Sequence, residues 1–219
     1  MSLDVVLRNT TGSAVSVSGG GALVITDVPP HADAYVVAAK TGIIAATAAA
    51  GAAVFAMRIN PGSGAVKAYI DTIRLRYTTV TAYTTPVTAT RSLVITRGAG
   101  AATSGGTAIA AVTPKETAYA ASQFDAASGG DVRVSTTAAL TVTGITWEAV
   151  NIGECTLIQS GAAGAFYETV YEYSVRSHPI ELLAGQLIGV RVGATAMDAA
   201  GTWVLGVEVS WHESDTYEG

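Results

Sequence analysis

The feature that most constrains this chain is the alternation in its closing apolar run, Gly201-Thr-Trp-Val-Leu-Gly-Val-Glu-Val-Ser-Trp211. A period of two places Trp203, Leu205, Val207, Val209 and Trp211 on one face. Val204, Gly206, Glu208 and Ser210 fall on the other, as a half-buried strand requires. With 24 Gly, abundant Thr and only 13% charged residues, the chain reads as a rigid β-scaffold. No equally sharp signal for chemistry appears, and the balance favours a structural role.

A chain of 219 residues can bury a sizeable core, and a β-sandwich of this length can be one domain with long loops. Aromatic residues make up only 7%, and much of the apolar content is Ala, which contributes less to the hydrophobic driving force than Leu or Ile. Stability therefore calls for partner subunits. The formal charge is -5 and no Lys/Arg block tracks a phosphate backbone, so direct nucleic-acid binding is disfavoured. The single Cys155 has no intrachain partner and is expected as a buried free thiol. The N-terminus has neither a basic nor an apolar leader region, so production in a cytoplasm is expected. The uncharged stretch Thr41 to Met57 is dominated by Ala and Gly over 45–53 and lacks aromatic anchors; it reads as strand and loop, with no membrane span.

Along the chain, residues 3–28 suggest a short hairpin or arm closed by Pro29 and Pro30, and residues 1–50 as a whole an N-terminal arm with a small β-element. The segment Ala32 to Ala53 permits helix by its Ala content, while Gly42, Ile43, Ile44 and Gly51 favour strand pieces. Residues 51–219 read as a β-sandwich. In it Ala53 to Asn60 and Val66 to Tyr77, joined by Pro61-Gly-Ser-Gly64, predict a hairpin. Strict alternation would group Tyr69, Ile73, Leu75 and Tyr77 on one side of the second strand, and Ala68, Ile70, Thr72, Arg74 and Arg76 on the other. Arg74 and Arg76 then emerge together, either in inter-subunit ion pairs or as solvated arginines. Successive strands are expected at Asp131 to Ser135, Leu140 to Thr143 and Ile145 to Val150, with Gly144 a bend or bulge. Phe166 to Tyr173 reads as an aromatic edge suited to a subunit contact, through Tyr167, Tyr171 and Tyr173. Gln186 to Val192 and Thr202 to Trp211 should pair antiparallel. Eight or more strands without a convincing long helix predict an all-β fold, a jelly-roll-like antiparallel sandwich.

The order of these pieces is also familiar. Phe55-Ala-Met-Arg58, Ala68-Tyr-Ile-Asp-Thr-Ile-Arg74, Arg97-Gly-Ala-Gly100, Ser104-Gly-Gly-Thr107 and Ile180 to Val192, continuing to Trp211, resemble structural proteins of tailed bacteriophages. The resemblance covers roughly residues 50 to 212 and is nearest to capsid cement or decoration proteins with a jelly-roll domain. It implies a virion protein of the capsid surface, made in the host cytoplasm, that forms a homotrimer, binds the major capsid protein and has no enzymatic role. Tail and baseplate components share the same style.

Enzymatic signals are weak. His31, His178 and His212 have no metal-ligand spacing, no cofactor motif is present, and the loop Gly98 to Gly106 lacks the Gly-Lys-Ser/Thr ending of a phosphate-binding loop. Ser174, Ser177 and His178 lack a nucleophile elbow. Glu148, Glu168, Glu172 and Glu208 are candidates for a glycosidase pair, with solvent-facing carboxylates as the plainer reading. Glycan binding without catalysis competes more strongly, because Tyr167, Tyr171, Tyr173 and Trp147 could line a shallow groove.

Overall fold

The computed structural model describes residues 33–45, 48–83, 91–115, 120–157, 164–173, 179–198 and 201–214. All of them belong to the compact unit Ala32–Gly219. The hairpin expected over residues 3–28 lies outside the described residues, as do Ser174, Ser177, His178 and His31.

Strands numbered in chain order form two sheets, and every pairing is antiparallel. The front sheet holds β1 (Asp33–Lys40), β2 (Ile44–Ala45), β4 (Lys67–Thr81), β7 (Thr113–Pro114), β11 (Gly164–Glu172), β12 (Ile180–Leu182) and β14 (Thr202–Ser214). The back sheet holds β3 (Ala53–Arg58), β5 (Arg91–Gly100), β6 (Thr107–Ala108), β8 (Asp131–Val134), β9 (Ile145–Trp147), β10 (Gly153–Leu157) and β13 (Gln186–Val192). The front order is β11-β4-β14-β1-β7, with β12 on β4 and β2 on β14; the back order is β10-β5-β13-β3-β8-β6, with β9 on β5. The segment that composition left open between helix and strand is extended, in β1 and β2.

The closing strand behaves as its alternation requires. Trp203, Leu205, Val207, Val209 and Trp211 are all buried in the core between the sheets. Trp203 stacks on Tyr77 at 5.5 Å; Trp211 stacks on Tyr35 at 5.7 Å and meets Phe124 edge-on at 5.0 Å. Ile188, Val190 and Val192 of β13 close the same core from the back sheet.

Two expected local pairings do not form. β3 and β4 lie in different sheets, so Pro61 to Gly64 turns a corner of the sandwich instead of closing a hairpin. β13 and β14 are likewise split between the sheets. The reason is the same in both cases: strands in opposite sheets bury their apolar faces against each other, whereas hairpin partners lie side by side and leave those faces uncovered.

Residues 140–143 also depart from expectation. Only an isolated bridge from Thr141 to Ser104 forms there. Leu140 instead packs on Ala53, Ala56 and Leu187, joined by Val142, Ile145 and Trp147, in a second small core on the outside of the back sheet. Gly189 makes room for it: a Cβ at that position would stand 2.5 Å from the Trp147 ring. An apolar outer face demands such a cover.

The face assignment along β4 is broken by a bulge. Thr72 pairs with Ser210 and Ile70 with Trp211, leaving Asp71 as the extra residue. Ala68 and Ile70 therefore join Ile73, Leu75 and Tyr77 in the core, contrary to strict alternation.

Candidate functional site

The exposed side of the front sheet is built by register. Beyond the Asp71 bulge, Arg74 and Arg76 face outward, opposite Glu208 and Gly206 of β14. On one flank Ala38 and Lys40 of β1 stand opposite Glu208 and Gly206. On the other, Tyr167 and Thr169 of β11 stand opposite Arg76 and Arg74. One row across four strands thus reads Lys40, Gly206, Arg76, Tyr167. The next row reads Ala38, Glu208, Arg74, Thr169.

Within these rows lies a shallow depression of about 270 Å³, lined by Ala38, Arg74, Arg76, Tyr167, Gly206 and Glu208 with the neighbouring Ala39 and Val207; Lys40 and Thr169 of the same rows are not part of its lining. Gly206 and Ala38 keep its floor low. Arg74 Nη1 donates to Glu208 Oε1 at 2.7 Å, and that hydrogen bond is the main reason the guanidinium is held above its ordinary pKa. Arg76 makes no ion pair with any described residue. Tyr167 is 60% exposed.

Three of the five expected contact residues, Arg74, Arg76 and Tyr167, are therefore neighbours. The other two are not part of the depression. A bulge between Thr169 and Tyr171 brings Tyr171 opposite Ile73, where its ring packs against the core and its hydroxyl accepts the Ile180 N–H at 3.0 Å. Burial raises the Tyr171 pKa. Tyr173 is half-buried, and its backbone N–H donates to the Asp71 carbonyl at 2.7 Å. Trp147 belongs to the back sheet, under the Arg191 guanidinium at 4.7 Å, so the groove of three tyrosines and this tryptophan is not assembled.

The candidate acid–base groups are dispersed: Glu148, Glu168 and Glu208 are hydrogen-bonded, while Glu172 is exposed on β11 opposite Thr72. Glu148 accepts from Arg97 Nε at 2.7 Å on the back-sheet side, while Glu208 is engaged by Arg74 on the front. Glu168 hydrogen-bonds the Cys155 thiol, which burial, the larger cause, pushes up to about 12. A thiol so protonated is no nucleophile near neutral pH. His212 lies outward from the Trp211 face, as expected: its Nδ1 is 2.9 Å from Asp71 Oδ1 and its ring stacks on Tyr69 at 5.2 Å. This His–Asp pair was not legible in the sequence, since it depends on the pairing of β4 with β14, which sets Tyr69 opposite His212. The nearby Ser210 hydroxyl shares its hydrogen bond with Thr72 at 2.7 Å. No group of three or more His, Cys, Asp or Glu residues placed to hold a metal occurs among the described residues.

A second recess, about 370 Å³, lies on the back sheet beside Gly51, Asn151, Arg191 and Gly193. Arg191 Nε donates to the Gly51 carbonyl at 3.0 Å, and burial lowers its pKa. Compared with known proteins, the chain matches no protein-family model and no curated protein.

Proposed function

We propose that this chain is a non-enzymatic structural protein of a tailed-phage virion, a capsid cement or decoration protein built on a jelly roll. The observation that carries the reading is strand order. Among the described residues, eight strands have five or more residues: β1, β3, β4, β5, β10, β11, β13 and β14. Counted along the chain, first pairs with last, second with seventh, third with sixth and fourth with fifth. Those are the rungs of one long hairpin. Rolling that hairpin up adds β4 beside β14 and β5 beside β13, as two interlocked Greek keys require. Jelly rolls serve viral shells, lectins and cupin enzymes alike, so fold alone does not choose among them. The choice rests on the resemblance of residues 50 to 212 to phage structural proteins and on the dispersal of the candidate acid–base groups over both sheets.

The proposed partners are two further copies of the chain and the major capsid protein. Labelled electron microscopy of purified particles tests the location. Label on the capsid surface is expected; label confined to the tail would transfer the protein to a tail or baseplate role, and its absence from mature particles would reject the virion assignment. Sedimentation equilibrium tests the trimer, which a monomer across micromolar concentrations would exclude.

A further inference from the structure

We propose that the open face of the front sheet binds a glycan carrying sugar carboxylates, with Arg76 and Lys40 on the carboxylate and Tyr167 against a sugar ring. The site stands on its own geometry and does not depend on the virion assignment.

The first argument is spacing. Lys40, Gly206 and Arg76 occupy successive strands at one register level. Neighbouring strands lie about 4.8 Å apart, so the two cationic residues stand about 10 Å apart across a glycine floor. A carboxylate resting on that floor is within reach of both long side chains. Any residue larger than glycine at position 206 would raise the floor between them.

The second argument is charge. The chain carries a net charge of -5, yet this face gathers Lys40, Arg74 and Arg76 around Glu208, with Glu172 of β11 acting on Arg74 from beside it. Glu208 is matched by Arg74, which leaves Arg76 as a fork of donors without a carboxylate among the described residues. An unmatched guanidinium beside a low floor selects a planar anion.

The third argument is the wall. Tyr167 is a large side chain, 60% exposed, one strand beyond Arg76. An aromatic face attracts the C–H face of a sugar, and the Glu208 carboxylate is an acceptor for sugar hydroxyls. An acidic peptide would satisfy the cations equally well, but it gives the tyrosine no role. Apart from Tyr167, the apolar lining of the depression is Ala38, Ala39, Gly206 and Val207, the last of which has its side chain in the core.

The test is titration calorimetry of the full chain with a galacturonic acid trimer, its methyl-esterified trimer and an N-acetylated tetraglutamate. The acid trimer is expected to bind. Methyl esterification and Arg76→Ala should each weaken binding by about tenfold or more, the loss expected for a charge-assisted contact. Tyr167→Ala should weaken binding by about fivefold, in line with loss of an aromatic contact. Gly206→Val should abolish it, with circular dichroism confirming the fold of each variant. Lys40→Ala should reduce the salt dependence of binding. No heat with the acid trimer at millimolar concentration overturns the proposal. So does equal binding of the ester, or tetraglutamate binding that matches the trimer and ignores Tyr167→Ala, which would mark a protein-docking face instead.

Discussion

Glu213 is a carboxylate held in the interior of the protein. It is buried near the end of β14, where its oxygens accept from the Ser122 hydroxyl, the Trp211 indole at 2.9 Å and the Gln123 N–H at 2.9 Å. Desolvation outweighs those donors and raises its pKa above the ordinary carboxylate value. The folded state then holds the proton more tightly than the unfolded chain, whose Glu titrates near about 4.3. Stability from this group is therefore full below about 4.3 and falls as pH rises toward the raised folded value. The destabilisation caused by Glu213→Gln should be largest at acid pH and shrink as pH rises through that window. Urea midpoints of both proteins between about pH 4 and 7 check this; a gap that widens with pH contradicts it. The second prediction concerns the pair Arg91–Asp198, which is almost fully buried. Asp198→Ala removes the buried carboxylate that pairs with the guanidinium and should cost about 3–5 kcal/mol in urea unfolding. Loss of less than about 1 kcal/mol, the range of solvent-exposed ion pairs, would show that water reaches the site.

At the scale of elements, the two bulges matter more than any propensity. Asp71 lets β4 present Ala68 and Ile70 to the core on one side of it and Ile73, Leu75 and Tyr77 on the other. Deleting Asp71 would leave Ile70 opposite Trp211 and Thr72 opposite Ser210 in a regular ladder with both sets still on the core, whereas inserting one alanine between Ile73 and Arg74 would turn one set to solvent, because a one-residue slip reverses every side chain beyond it. The insertion variant is expected to be unfolded by circular dichroism, while the Asp71 deletion, which removes the bulge, should fold. A folded insertion variant, or an unfolded deletion variant, would refute the register. The back sheet has its own sensitive point at Gly189, where Trp147 lies flat on the glycine. Gly189→Val should displace Trp147, shift its fluorescence emission and cost about 1–3 kcal/mol as an overpacked contact. An unchanged spectrum would mean that the ring is not seated there. The same bulge logic explains why Tyr167 and Tyr171 part company. Read as a regular strand they share a face, and only the irregularity between Thr169 and Tyr171 separates them. Arg74 and Arg76 stayed legible as neighbours because both lie on the same side of the Asp71 bulge.

For the whole molecule, the dominant fact is that the principal strands pair across long stretches of chain. Asp33 stands opposite Glu213, and β3 lies beside β13. Such non-local pairing must close large loops before any contact compensates the entropy. Refolding followed by tryptophan fluorescence in a stopped-flow instrument should therefore occur in about the millisecond-to-second range or slower. A sub-millisecond main phase would be inconsistent with this topology. Trp203 and Trp211, both fully buried on the central β14, report directly on that assembly.

By itself the sequence determined the material of this protein: extended segments, the buried face of the closing strand, the free thiol of Cys155 in the core, and the joint emergence of Arg74 and Arg76. These are properties of neighbours along the chain, set by side-chain period and residue type. Only the tertiary structure decided which strands became partners. The segments at 53–58 and 67–81, and again at 186–192 and 202–214, look like hairpins because they are adjacent, yet each pair is divided between the sheets. The physical reason is that burial rewards apolar faces for meeting across the sandwich, and nothing local in the sequence records which distant face will be met. The same holds for the open face of the front sheet. Lys40, Arg76, Tyr167 and Gly206 come from four strands, and no spacing along the chain connects them until register sets them in one row.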